Sequence, residues 1–216
     1  MILFCPPGVY RAQSDTAVLA GLLGRGHARG RDVLDIGTGS GALTLAAWRA
    51  GAATVTGVDL SRRSVLATRL NCMLRGADVR IHRGDLFGPV RDRRFGLIVA
   101  NPPYVPSETS VLPRHTAGRC WDAGPDGRAV LDRICAGAAD HLTPDGRVLL
   151  VHSAVCGPDE TVDRFAAAGL AAEVVERARI PFGPVMRSRA TLLERRGLIE
   201  PGERLEELVV VEARHA

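Results

Sequence analysis

Apolar positions along the chain fall into two alternating textures. Short unbroken runs, such as Val148-Leu149-Leu150-Val151 and Leu208-Val209-Val210-Val211, alternate with longer stretches in which apolar and polar residues mix. The runs have the length and composition of strands, and the mixed stretches between them read as the crossover helices of a parallel sheet. The pattern predicts a first helix beginning near Ser14, whose hydroxyl is expected to cap it, and continuing through Leu23. A strand over Arg31–Ile36, a turn over Gly37–Gly41 and a helix over Ala42–Ala50 follow. Next come a strand over Ala53–Asp59 and a helix capped by Ser61 that runs to Arg75. The third and fourth strands are Asp78–His82 and Phe95–Ala100.

The irregular stretch Val105–Gly127 is unusual for a compact domain unless it covers a site. Beyond it the pattern predicts a helix over Arg128–Leu142, a turn at Thr143–Gly146, and a strand over Arg147–His152. A helix at Asp159–Ala168, a strand at Ala172–Ala178, a helix at Arg187–Arg196 and a strand at Leu208–Glu212 complete the chain. The expectation is an α/β fold with a seven-stranded, mostly parallel sheet and helices on both faces. It forms one domain over 1–216, with 1–30 as a helical lead-in and 105–127 as a substrate-covering loop.

Composition narrows the class without naming a chemistry. Hydrophobic residues make up 46% and charged residues 24%, an ordinary globular balance. No apolar stretch approaches the ~20 residues of a membrane-spanning helix. The first residues lack the basic region and apolar core of a signal peptide, so a soluble cytoplasmic protein is expected. The net charge of +4 points toward an acidic partner such as nucleic acid, but all 28 basic residues are arginine and they are mixed with 24 acids over the whole length. Genome composition explains that bias better than a phosphate-binding surface does. Five dispersed cysteines form no CxxC or CxxH pair, so free thiols and no metal site are expected.

Four motifs carry chemistry, each at the carboxyl end of a predicted strand. Asp35-Ile36-Gly37-Thr38-Gly39-Ser40-Gly41 is a glycine turn at a strand-to-helix junction, where the backbone can approach a ligand closely. Its GxGxG spacing differs from the GxGxxG of dinucleotide folds, and the acid before it would repel a pyrophosphate. The same acid can pair with an ammonium, which S-adenosylmethionine has in place of phosphate. Asp59, with Leu60 after it, can accept both ribose hydroxyls or simply cap the next helix. Asp85 can accept from an adenine amino group while Leu86 covers the ring; a plain Gly-Asp turn is the alternative.

Asn101-Pro102-Pro103-Tyr104 is the sharpest signal. Two prolines remove two N–H donors and stiffen the turn, so that the Asn101 side-chain oxygen and the Pro102 carbonyl can accept both hydrogens of an –NH2 group. Tyr104 can pack flat against the planar group bearing it. With strand one beside strand four, the glycine turn and Asn101 open into one crevice.

In these motifs the sequence resembles class I S-adenosylmethionine-dependent methyltransferases, specifically the HemK-type glutamine N5-methyltransferases that modify translation release factors. The resemblance extends from Val9 to Val151, and the absence of a preceding helical recognition domain is similar to the short branch of the family. Val9-Tyr10-Arg11-Ala12-Gln13-Ser14-Asp15-Thr16 looks like the family's VYxPxxDT segment, with Ala12 in place of proline; this implies that Thr16 lies near the cofactor. Trp121-Asp122-Ala123-Gly124-Pro125-Asp126-Gly127 looks like its W-x-A/G-G-x-x-G segment, implying a substrate contact at Trp121. The Arg187–Arg196 segment has no counterpart. The implied reaction uses S-adenosylmethionine, yields S-adenosylhomocysteine, and methylates a glutamine amide in a protein such as a release factor. Asn101, Pro102 and Tyr104 would be catalytic, with Pro103 at the substrate. Short-branch relatives also imply a small zinc-binding partner covering an apolar sheet edge. Exocyclic amines of adenine or guanine, a protein lysine or a small amine are alternative acceptors, and a non-catalytic cofactor-binding subunit is the alternative from another class. Arg114, Arg119 and Arg128 flank the substrate segment and are expected to touch an acidic partner surface.

Overall fold

A computed structural model describes residues 2–111 and 117–216. Seven strands, β1 Asp32–Ile36, β2 Thr54–Asp59, β3 Arg80–Arg83, β4 Phe95–Ala100, β5 Leu142–Ser153, β6 Leu170–Pro181 and β7 Leu205–His215, form one sheet in the order 3-2-1-4-5-7-6. β1 to β5 pair in parallel, and β7 inserts antiparallel between β5 and β6. The helices are α1 Ser14–Leu22, α2 Ala42–Arg49, α3 Arg62–Met73, α4 Leu131–Ala138, α5 Pro158–Ala167 and α6 Pro184–Arg195.

Alternation along the central strands supplies a core on each face. In β4, Leu97 and Val99 pack with Leu19, Leu22, Leu43 and Ala47 from α1 and α2, while Ile98 and Ala100 pack with Leu131, Ile134, Phe165 and Leu193 from α4, α5 and α6. A strand buried on both sides reads as an unbroken apolar run for this reason. No helix among the described residues is long and apolar enough to cross a membrane.

Local departures from the expected elements have identifiable causes. Ser14 is the first residue of α1 rather than its cap; Gln13 holds the cap position and no side chain closes it. Ser61 does cap α3, accepting from the Ser64 N–H at 3.2 Å. The helix expected over Arg128–Leu142 is regular only from Leu131 to Ala138, then tightens into a 3-10 turn at Ala139–His141. α6 starts at Pro184, in front of the expected Arg187. The 105–127 segment is tied at its base: Val105 N–H donates to Trp121 at 2.7 Å, and Ser107 N–H to Gly124 at 2.8 Å.

Candidate active site

β1 and β4 are adjacent, with Ile36 beside Ala100, so the segments that leave them, Gly37–Gly41 and Asn101–Tyr104, start side by side. This is where strand order reverses, since β1 continues to β2 on one side and β4 to β5 on the other. A crevice of about 1140 Å³ opens there, bounded by Gly37, Gly39, Asp59, Leu60, Asp85, Leu86 and Asn101.

The glycine turn is locked by the protein itself. Gly37, Gly39 and Gly41 all adopt positive φ, and a Cβ at Gly41 would lie 2.9 Å from the Thr68 methyl. Gly37 and Thr38 N–H donate to Val58, Gly41 N–H donates to Thr38, and Gly39 N–H donates to the Asp59 carboxylate at 2.9 Å. With these donors engaged, the turn offers a close-fitting wall and not a phosphate cradle. Asp59 also accepts from Ser61 N–H at 2.7 Å, which fixes its carboxylate at the crevice wall. Each carboxylate oxygen can accept more than one donor, so the pair of ribose hydroxyls expected here fits.

Four expected cofactor residues lie behind the wall. Asp35 is fully buried; one oxygen accepts from the Thr44 hydroxyl at 2.5 Å, and the other has no partner among the described residues. Burial pushes its carboxyl up to about 7, against the Thr44 hydrogen bond. The direct ammonium contact expected of Asp35 is therefore not laid out: the residue supports the turn from below. Thr38 bonds the Thr68 hydroxyl at 3.1 Å, and neither it nor Gly41 borders the crevice. Thr16 is buried behind Asn101.

The Asp85 end of the crevice carries a partner that the sequence did not disclose. Asp85 is ion-paired with Arg133 of α4 at 2.6 Å, and both border the crevice. Leu86, at φ 45°, is the one non-glycine residue with positive φ among the described residues. That strained conformation marks a position held by its surroundings.

A second cavity of about 350 Å³ lies on the other side of the Asn101 turn and shares Tyr10, Asn101, Pro103 and Cys120 with the crevice. Pro102, Tyr104 and Trp121, the residues read from the sequence as substrate contacts, line it, and so do Pro184 and Met186 at the start of α6. Asp15 and Glu206 bring two buried acids to it. Asp15 accepts from the Tyr10 hydroxyl at 2.6 Å and the Tyr104 hydroxyl at 3.2 Å. Burial first, and then the Asp15 charge, push both phenols well above the usual tyrosine range. Glu206 Oε1 has no partner among the described residues; burial pushes its carboxyl up to about 7, against the nearby Ser153 hydroxyl, with the Asp15 charge adding to the rise.

The turn itself is held from outside. Cys156 Sγ donates to the Tyr104 carbonyl at 3.0 Å, and a Cβ at Gly127 would lie 2.3 Å from that oxygen, so only glycine fits. Arg128 does not reach toward a substrate. Its buried guanidinium donates to the Cys156 and Gly157 carbonyls, to Thr161, and to Asp132 at 2.7 Å. It is a framework residue. Arg114 and the Arg119 side chain lie outside the described residues.

Residues 2–114 match the family model described as the methyltransferase small domain. A Methanocaldococcus jannaschii protein, whose name places it among the protein N5-glutamine methyltransferases, is 30% identical over 180 residues, 83% of this chain and 90% of that protein. A Geobacter sulfurreducens release factor glutamine methyltransferase is 39% identical over 102 residues, 47% of this chain but only 36% of its own length. Among solved structures, the E. cuniculi Mtq2–Trm112 complex, described as methylating the termination factor eRF1, superposes with a TM-score of 0.67 at 22% identity, over 97% of this chain and 99% of that one.

Proposed function

The chain belongs to the methyltransferase small domain family, and we propose that it transfers a methyl group to the side-chain amide nitrogen of a glutamine in a protein of the translation apparatus, such as a release factor. The observation that carries this reading is the Asn101 turn at the junction of two cavities, with the Asn101 nitrogen turned away to Thr16 at 3.1 Å. Its oxygen is thereby left as an acceptor, which is what a planar –NH2 group needs.

The crevice suits S-adenosylmethionine in kind: a carboxylate for a ribose, an apolar Leu86 and an acid for an adenine, and no cradle for phosphate. When bound there it supplies a methyl carbon made electrophilic by a sulfonium. Asn101 Oδ1 and the Pro102 carbonyl hold the two amide hydrogens and aim the nitrogen, whose lone pair is otherwise delocalised. Tyr104 stacks on the amide plane. As the N–C bond would form and the methyl–sulfur bond break, leaving the neutral thioether, the positive charge growing on nitrogen would be stabilised by the same two acceptors, and the proton would then leave to water. Orientation and fixed dipoles supply the rate enhancement, with no dedicated base.

For the small subunit expected from the short branch, a landing place away from the β3 edge suits this chain. Edge strand β3 carries Arg80 and Arg83, and Arg69 donates to its Ile81 carbonyl at 2.6 Å, which blunts that edge. Ile2, Phe4, Met73 and Leu74 are among the exposed apolar side chains, and Asn71 pins the N-terminal segment to α3 there through two 2.8 Å bonds to Phe4. A small partner covering this patch would work with the enzyme in the cytoplasm, where translation factors are.

Incubation with labelled S-adenosylmethionine and, separately, release factor, tRNA and DNA, followed by mass-spectrometric mapping, tests the assignment. Label on a glutamine amide is expected; label on a base or a lysine overturns it. Asn101→Ala should lower turnover by at least about a hundredfold while cofactor affinity largely survives, and unchanged turnover would remove Asn101 from its role.

A further inference from the structure

The Asn101 carboxamide can do its work in only one of two orientations. With the oxygen toward the acceptor it receives N–H groups; flipped by 180°, it presents its own NH2 and repels them. The two orientations have nearly the same shape, so packing alone does not choose between them. Hydrogen-bond polarity does.

Asp15, in the first turn of α1, supplies that polarity. An ionised carboxylate is acceptor-only. Its Oδ1 lies 2.6 Å from the Thr16 N–H and 3.2 Å from the Thr16 hydroxyl, and its Oδ2 takes the Tyr10 and Tyr104 hydroxyls. The Thr16 hydroxyl gives its one hydrogen to Asp15, so toward Asn101 it can only accept. The Asn101 NH2 group must then face Thr16, as it does at 3.1 Å. The Tyr10 hydroxyl gives its hydrogen to the same carboxylate at 2.6 Å. Both phenols remain protonated at neutral pH, so each donates toward Asp15, which accepts every bond in the set.

We propose that Asp15 is a positioning residue for methyl transfer: through Thr16 its carboxylate sets the direction of a hydrogen-bond relay that turns the Asn101 oxygen toward the acceptor nitrogen. The proposal rests on the reading of Asn101 as the acceptor-holding residue, but its core, the orientation of one carboxamide, is measurable without any substrate.

Asp15→Asn keeps the shape and replaces an acceptor by a donor, so the relay can reverse. The sequence holds two asparagines, Asn71 and Asn101, and one glutamine, Gln13, so the side-chain NH2 signals are few enough to assign by NMR. In the unmodified chain the Asn101 NH2 hydrogens, bonded within the protein, should exchange slowly. In Asp15→Asn they should exchange at least about tenfold faster, while kcat falls by about a hundredfold and the S-adenosylmethionine Kd stays within about threefold. In a second pair, Thr16→Ser, which keeps the hydroxyl, should exceed Thr16→Val in kcat by at least about tenfold. A folded Asp15→Asn protein with unchanged Asn101 exchange overturns the proposal even if its kcat falls, and so does equal kcat in the two Thr16 variants. If the unmodified chain methylates no glutamine, the functional reading fails while the exchange measurement still decides the relay.

Discussion

The cofactor crevice and the acceptor cavity meet at Asn101 but are assembled in opposite ways. The crevice is a row of strand ends: Gly37 and Gly39 follow β1, Asp59 closes β2, Asp85 and Leu86 follow β3, and Asn101 follows β4. Each contributes through the few residues next to its own strand. The acceptor cavity instead gathers Tyr10 and Asp15, Pro102 to Val105, Trp121, the start of α6, and Glu206 of β7. The family match ends at residue 114 and so takes in nearly all of the first site but not Trp121, Met186 or Glu206 of the second. The part of the second cavity beyond residue 114 is gathered from the loop, α6 and β7 and so depends on long-range assembly.

The largest effect that can sharpen this division concerns Arg128. Read as a substrate contact it belongs to the acceptor site; its buried bonds to Cys156, Gly157, Thr161 and Asp132 make it part of the frame that holds α4 to α5. Arg128→Ala should cost about 3 kcal/mol of stability, seen as a lowered thermal midpoint, because it leaves backbone carbonyls unpaired in the interior. A raised KM for the protein substrate at unchanged stability would return Arg128 to the substrate surface.

Asp59 tests the other side. Asp59→Ala removes the carboxylate that fixes Gly39 and faces the crevice, and cofactor affinity should weaken by about a hundredfold, roughly 2.7 kcal/mol. Measured by calorimetry, that loss should leave the acceptor KM at saturating cofactor within a few fold. A matching rise in acceptor KM would mean that the two sites are not separable.

The same contrast explains what the sequence discloses. β4 is legible to the residue, and the ends of β1 and β2 at Ile36 and Asp59 are too, because strands covered on both faces need apolar runs that stop where the site begins. β6 is half as legible: Glu173, Arg177 and Arg179 alternate toward solvent at the sheet edge, so the run that betrays a central strand is missing, and the strand extends to Pro181. In the site, Asp59, Asp85 and Asn101 stand out because a motif and a strand end coincide. Asp35 looks identical to them in sequence, yet it points beneath the turn to Thr44; a one-dimensional motif does not record which side of the wall a residue occupies. Glu206 carries no local signal. It enters the site only because β7 runs antiparallel between β5 and β6, a matter of topology.

Glu206 also gives the smallest predicted effect, and one whose sign is fixed. Its folded carboxyl is raised to about 7, while in the unfolded chain it returns to the ordinary carboxylate range near 4.5. Between those values the folded state binds the extra proton, so this residue's contribution is fully present below about pH 4.5 and is lost as pH rises through about 7. Glu206→Gln removes the titration. Unfolding at pH 5 should then show little difference between variant and parent, while at pH 8 the variant should be more stable by roughly 1–2 kcal/mol, less than the full displacement implies because water reaches the cavity. An equal difference at both pH values would show that Glu206 is not held in a desolvated pocket. The expected result has a functional reading. A buried acid that must ionise as the pH rises costs stability there. Glu206 lies in the cavity we assign to the acceptor, and not in the crevice, so that cost falls beside the group we propose to be methylated.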